Sequence, residues 1–339
     1  MHSLNRRHLL TLAAGGVAMS QLGRSAKAAD NVVNFAYQSG DVNVLLMYVA
    51  GKGLFEKYNV DVKLLPFAAG PQQLPALAAG EADLAWMGEF PAITSFANGL
   101  PLQIFLVERT DTSHQRLVAN PAKGIKGLDD LKGKSIGVTI GATSHFLALL
   151  ALSKVGLTAS DVTLVNLTPA NMPPAYLSDR IDAAFTWEPN ITQIEKAGGL
   201  TIATPSSLGR YTAGVLVARQ EFIQTKSEAL QRFLAAWHEG LTAYRQDPLS
   251  VMPFEAKRLG VPVEEVVALV KRQNSYRPSF EEELTNKYLG GVGQADQSKY
   301  VEHLKEIAEF LVQINKIKSA DVNWAGLINP QPVAAFLKS

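Results

Sequence analysis

The stretch Leu74-Pro75-Ala76-Leu77-Ala78-Ala79-Gly80-Glu81-Ala82-Asp83-Leu84-Ala85-Trp86-Met87-Gly88-Glu89-Phe90-Pro91 decides the fold class. Its Leu- and Ala-rich start reads as a helix over Leu74 to Ala79. That helix stops at Gly80, a residue that closes helices because it accepts the left-handed conformation. Ala82 to Trp86 then reads as a short buried strand. A second helix opens near Pro91, since proline suits a first turn. Helix, strand and helix joined by turns of a few residues are the rhythm of an open α/β sheet.

The same rhythm runs outward on both sides. Val32 to Tyr37 reads as a strand, with a helical pattern from about Val42. Val60 to Leu65 is a strand ending at Pro66, and Leu102 to Val107 is another. The pattern then restarts. Gly127 to Lys134 is a turn with a short helix, Ser135 to Val138 a strand, and Thr143 to Val155 a helix closed by Gly156. Val162 to Val165, Ala183 to Phe185 and Leu200 to Ala203 read as further strands. Two successive α/β units of about 100 residues predict two lobes, each an open sheet flanked by helices. After Arg219 the texture is helical. Thr225-Lys226-Ser227-Glu228 spells a capping box. Leu230, Phe233, Leu234, Trp237, Leu241 and Tyr244 follow at helical spacing, and Leu304, Ile307, Ala308 and Leu311 form a second stripe. Both stripes read as core.

The first residues read as an export signal over 1–28. Arg6-Arg7 precedes an apolar run from Leu9 to Met19, and Ala26-Lys27-Ala28 is a small-residue cleavage pattern. The arginine pair resembles a twin-arginine motif, although Asn5 replaces the usual hydroxyl residue, so ordinary secretion stays open. The apolar run is shorter than the roughly 20 residues that span a bilayer. The signal holds Arg6, Arg7, Arg24 and Lys27 and no acid. The 32 basic and 31 acidic residues therefore become 28 and 31, a net charge of −3. That balance does not point to nucleic acid or an anionic membrane. Cysteine is absent, which removes disulfides, thiol catalysis and the lipid-bearing cysteine of a lipoprotein. The expected location is the periplasm.

Motifs for chemistry are few. Leu131-Lys132-Gly133-Lys134-Ser135 lacks the glycine spacing of a phosphate loop and precedes a strand rather than following one. Gly290-Gly291-Val292-Gly293 reads as a loop, outside the context of a dinucleotide fingerprint. Beyond the signal the histidines are His114, His145, His238 and His303, and no two have metal-ligand spacing. No cofactor and no metal are expected. What remains is a set of strand ends rich in small, polar and aromatic residues: Tyr37-Gln38-Ser39-Gly40, Phe67-Ala68-Ala69-Gly70, Trp86 to Pro91, Gly141 to His145, and Thr186-Trp187-Glu188-Pro189. In open α/β sheets, ligands bind beyond the carboxyl ends of strands.

These stretches carry a resemblance. Thr143-Ser144-His145-Phe146, Val165-Asn166-Leu167, Asp182-Ala183-Ala184 and Trp187-Glu188-Pro189 resemble the periplasmic solute-binding proteins of the taurine, nitrate and alkanesulfonate ABC importers, the taurine branch above all. Ala36-Tyr37-Gln38, Ala78 to Asp83, Arg219 to Phe222 and Leu259 to Pro262 extend the likeness over nearly the whole chain beyond the signal. The resemblance implies a two-lobed type II periplasmic-binding-protein fold. Lobe 1 is expected over 29–114 plus 216–339 and lobe 2 over 115–215. The chain would cross near Thr110 to Arg116 and return near Tyr211 to Val215. It further implies a small-molecule ligand, an ABC permease in the inner membrane as partner, no catalysis, no nucleic acid, and a monomer. A periplasmic sensor subunit and a thiamine-pyrimidine-synthase-like enzyme are the alternatives; export and the absent cysteine oppose the second.

The expected ligand residues are Tyr37, Gln38, Gly70, Glu89, Phe90, Glu108, Thr143, Ser144, His145, Trp187 and Glu188. The taurine branch carries an Asp on the return strand where this chain has Gly214. Acids stand instead at Glu89, Glu108 and Glu188. A carboxylate in a desolvated cleft needs a cation or donors. The three acids therefore favour a ligand with an ammonium, an amidinium or several N–H groups over bare nitrate. Each residue also has a structural reading. Glu89 and Glu188 suit helix N-termini, and Glu108 with Arg109 suits an ion pair. Thr143 and Ser144 suit N-caps, and Trp187 and His145 suit the core.

Overall fold

The computed structural model describes residues 31–339. The export signal expected over 1–28, with Arg6, Arg7 and Ala26-Lys27-Ala28, lies outside the described residues. The first sheet is built from β1 (Val32–Gln38), β2 (Asp61–Phe67), β3 (Leu84–Gly88), β4 (Leu102–Asp111), β10 (Thr212–Arg219) and β11 (Ser275–Tyr276). Its order is β11-β4-β10-β3-β1-β2. The second sheet takes β5 (Gln115–Ala119), β6 (Ser135–Val138), β7 (Thr163–Asn166), β8 (Ala183–Trp187) and β9 (Leu200–Ala203), in the order β7-β6-β8-β5-β9. Both sheets are mixed. β1 pairs parallel with β2 and β3, and β6 with β7 and β8; β10 and β5 run antiparallel to their neighbours.

The helices that frame the site are α1 (Val44–Gly51), α2 (Leu74–Ala79), α3 (Glu89–Ala97), α4 (Thr143–Lys154), α5 (Asn190–Lys196), α6 (Ser227–Gln246), α7 (Pro248–Leu259), α8 (Val263–Gln273) and α9 (Lys299–Gln313). The chain passes between the sheets twice, from β4 to β5 and from β9 to β10. β10 pairs in the first sheet from Thr212 onward, so a lobe boundary after Val215 falls inside a strand. One apolar cluster joins Met87, Phe90 and Val107 of the first sheet's side to Leu117, Phe146 and Phe185 of the second. A second cluster lies on the other face of the first sheet, where Phe35 packs edge-on against Phe233 at 5.4 Å and Phe233 stacks on Trp237 at 5.6 Å.

Several local readings need correction. Pro66 sits inside β2 rather than ending it. β2 is the outer strand, so the missing amide costs no ladder bond. α3 opens two residues before Pro91, which still lies in the first turn, where amides have no helical acceptor. The expected capping box does not form. A helix ends at Thr225, whose hydroxyl donates back to the Glu221 carbonyl at 2.8 Å, and α6 starts at Ser227 without a side-chain cap. The stripe from Leu230 to Leu241 is buried as its spacing requires, and so is the stripe on α9.

Candidate functional site

The two sheets turn their strand ends toward one another. β1 ends at Gln38 and β3 at Gly88; facing them are the start of α4 at Ala142 and Thr143 and the end of β8 at Trp187. Between them lies a cavity of about 30 Å³, room for roughly two waters. Its first-sheet wall includes Gln38, Asp41, Gly70, Trp86, Gly88, Arg109, Asp111 and Gly214, and its second-sheet wall Gln115, Ala142, Thr143 and Trp187; His114 lies at the crossover. The walls are in contact. The Trp187 indole donates to the Gly40 carbonyl at 3.2 Å, and its ring packs with Ala69 and Ala142. Gly88 lies so close to the Thr143 hydroxyl that a Cβ there would collide with it. A larger open groove, about 680 Å³, lies among Thr110, Tyr211, Tyr288 and His303. It holds fewer buried polar atoms without partners among the described residues, so the small cavity is the better candidate.

Charge is concentrated on one wall of that cavity. The Arg109 guanidinium lies over the Trp86 ring, 4.7 Å from its centre. Arg109 Nη2 donates to Asp41 Oδ2 at 3.2 Å, and His114 Nε2 is 3.1 Å from the same oxygen. Arg109 Nε is 3.7 Å from Asp111 Oδ2 and Nη1 is 3.6 Å from Glu108. Asp111 also accepts from the Thr212 hydroxyl at 2.7 Å. Burial pushes the Asp41 carboxyl up, but His114, Arg109 and the Val42 amide outweigh it and hold the group below the ordinary carboxylate range. At Asp111 burial wins over His114 and Arg109, and the carboxyl titrates above its ordinary value. Buried polar atoms on these walls lack partners among the described residues: Arg109 Nε, His114 Nδ1, Gln115 Oε1 and Thr143 Oγ1.

Of the expected ligand residues, the structure brings Gln38, Gly70, Thr143 and Trp187 to the cavity wall. The others do not line it. Tyr37 packs against the core on the far face of β1. Phe90 is buried against Phe146, ring centres 5.8 Å apart. Ser144 is fully buried off the wall. His145 accepts from the Gly141 amide at 3.4 Å, and burial, with help from Lys316, lowers its pKa to about 4.

The three acids are corrected as a group, because each has found a partner in the protein. Glu89 is fully buried and turned away from the cavity; it accepts from the Ala213 amide and lies 3.4 Å from His303 Nε2. Glu108 accepts from Arg277 Nε at 2.8 Å and from the Trp86 indole at 3.3 Å, behind that ring. Glu188 accepts from the Thr192 amide and hydroxyl and from Arg272 Nε at 2.9 Å. The acids that do face the cavity are Asp41 and Asp111. Asp41 lies three residues past the end of β1 and one past the stretch Tyr37-Gln38-Ser39-Gly40, within reach of the strand-end rule. Asp111, Arg109 and His114 escaped it because β4 runs four residues beyond its apolar segment.

Comparison with known proteins fits this architecture. Residues 41–250, more than half of the chain, match the NMT1/THI5-like family. The chain belongs to that family. Among curated relatives, this NMT1/THI5-like protein is 28% identical to a putative aliphatic sulfonates-binding protein of Escherichia coli (strain K12), over 76% of this chain and 81% of the relative. It is 26% identical to the taurine-binding periplasmic protein of the same organism, over 83% and 90%. The alkanesulfonate-binding protein of Xanthomonas axonopodis pv. citri, solved bound to MOPS, superposes with a TM-score of 0.72 at 20% identity, covering 88% of this chain and 98% of that one. The two-lobed periplasmic-binding-protein fold is thereby shown.

Proposed function

We propose that this protein is the solute-capturing subunit of an ABC importer. It works as a monomer in the periplasm, closes two lobes around one small polar organic solute, and delivers it to a permease in the inner membrane. One observation carries the reading: strand ends from both sheets converge on a buried cavity whose polar atoms Arg109 Nε, Gln115 Oε1 and Thr143 Oγ1 have no partner among the described residues. Buried polar groups are nearly always satisfied, so such a set marks a place where a ligand supplies the missing bonds. The relatives named for binding sulfonates and taurine support the same reading. Asp41, Arg109, Asp111, His114, Gln115, Thr143 and Trp187 are the proposed contacts. The export signal over 1–28, whether twin-arginine or ordinary, belongs to this proposal as well.

The test is capture of a solute from a small-molecule extract, with mass spectrometry for identity and small-angle scattering for shape. The expected result is one solute per chain and a smaller radius of gyration when it is bound. Binding without any change of radius would remove the closing motion. Failure to retain any solute would remove the importer reading.

A further inference from the structure

We infer that Asp41 and Asp111 form a subsite that reads a cationic N–H head group on the solute. The inference rests on the importer reading and names the chemistry of its cargo. Count the charges that face the cavity. Glu108 is matched by Arg277 behind the Trp86 ring. That leaves Asp41 and Asp111 around the single guanidinium of Arg109, two carboxylates to one guanidinium. All these groups are at most 5% exposed. A buried charge without a counter-charge is destabilising until something neutralises it.

The hydrogen bonds point the same way. Arg109 Nε stands 3.7 Å from Asp111 Oδ2, beyond bonding reach, and is itself unpartnered. Gln115 Oε1, which can only accept, is buried without a donor. The wall therefore offers an N–H group two open acceptors, Gln115 Oε1 and Asp111 Oδ2, beside the donor Arg109 Nε. A sulfonate has three oxygens and no donor, so at this wall it would satisfy neither Asp111 nor Gln115 and would face two carboxylates. An ammonium has three donors and the compensating charge. Arg109 Nε and the Thr143 hydroxyl remain as donors for an oxygen elsewhere on the same solute.

The experiment compares matched pairs by titration calorimetry at pH 8. Taurine, β-alanine and ethanolamine are each set against the hydroxyl analogue: isethionate, 3-hydroxypropionate and ethylene glycol. Methanesulfonate is the anion without a head group. The expected result is that at least one amine binds and that its hydroxyl partner is at least tenfold weaker. In Asp111→Asn that preference should shrink to about threefold or less. The asparagine oxygen keeps the Thr212 bond, and the melting temperature reports whether the variant folds. Asp41→Asn provides the same reading should Asp111→Asn fail to fold. A hydroxyl analogue or methanesulfonate that binds as tightly as the best amine overturns the inference and leaves the importer reading intact. Silence from every amine overturns it too; silence from all seven probes, with no solute captured from extract, removes both.

Discussion

A carboxylate with no exposed atom can pair, protonate or cost stability, and Glu89 does part of each. Burial raises its pKa above the ordinary 4.5, while His303 and the Ala213 amide pull it down without winning. Between pH 4.5 and the raised value, the folded state keeps a proton that the unfolded chain has released, so this group's contribution to stability falls as pH rises. Glutamine keeps an acceptor for the Ala213 amide and does not titrate. Glu89→Gln should therefore gain on wild type as pH goes from 4.5 to 8, read as the difference in melting temperature. Its affinity for the captured solute should stay within about threefold, under 1 kcal/mol, since Glu89 does not reach the cavity. A tenfold loss would put the carboxylate back in the binding site.

At the scale of elements, α1 and α6 approach each other closely in the first lobe. A Cβ on Gly240 of α6 would collide with the Val49 side chain and lie 3.2 Å from Leu45 Cδ1. Glycine in a helix interior normally costs about 1 kcal/mol relative to alanine. Here the sign should reverse: Gly240→Ala should destabilise by about 1–3 kcal/mol through overpacking, measured by urea unfolding. Stabilisation would mean the helices can separate freely. The periodic stripe on α6 could be read from sequence because burial on a helix repeats every three to four residues. The break at Lys226 could not. The capping box supplies one local bond set, and the packing of the short helix before it supplies another that won. β10 was legible only through the family resemblance, since its eight residues show almost no alternation: seven are buried.

At the scale of the molecule, a polar seam outside the cavity ties the lobes. Arg272 of α8 reaches Glu188 and Glu195 across the cleft, Arg116 of β5 donates to the Arg272 carbonyl at 2.7 Å, and Lys196 meets Glu265 at 3.4 Å. These bonds link the second sheet to the helical tail without touching the cavity. Arg272 is about a third exposed, so its contribution is discounted to roughly 1 kcal/mol. Arg272→Gln should loosen the closed form: a larger radius of gyration without solute, and solute release faster by about fivefold. An unchanged radius and release rate would make the seam decoration of a contact held elsewhere.

The sequence by itself determined the α/β class, the two sheets, the helical tail and the family, because period, turn residues and strand-end composition are local properties written along the chain. Gln38, Gly70, Thr143 and Trp187 came with them, since the strand-end rule needs only element boundaries. The tertiary structure alone decided which carboxylates face the cavity. Glu89, Glu108 and Glu188 stand within three residues of a strand end as Asp41 and Asp111 do, and nothing local separates them. What separates them is a partner distant in the chain: His303 for Glu89, Arg277 for Glu108 and Arg272 for Glu188. A buried charge takes the nearest counter-charge that the fold brings to it, and Asp41 and Asp111 are left with one guanidinium between them.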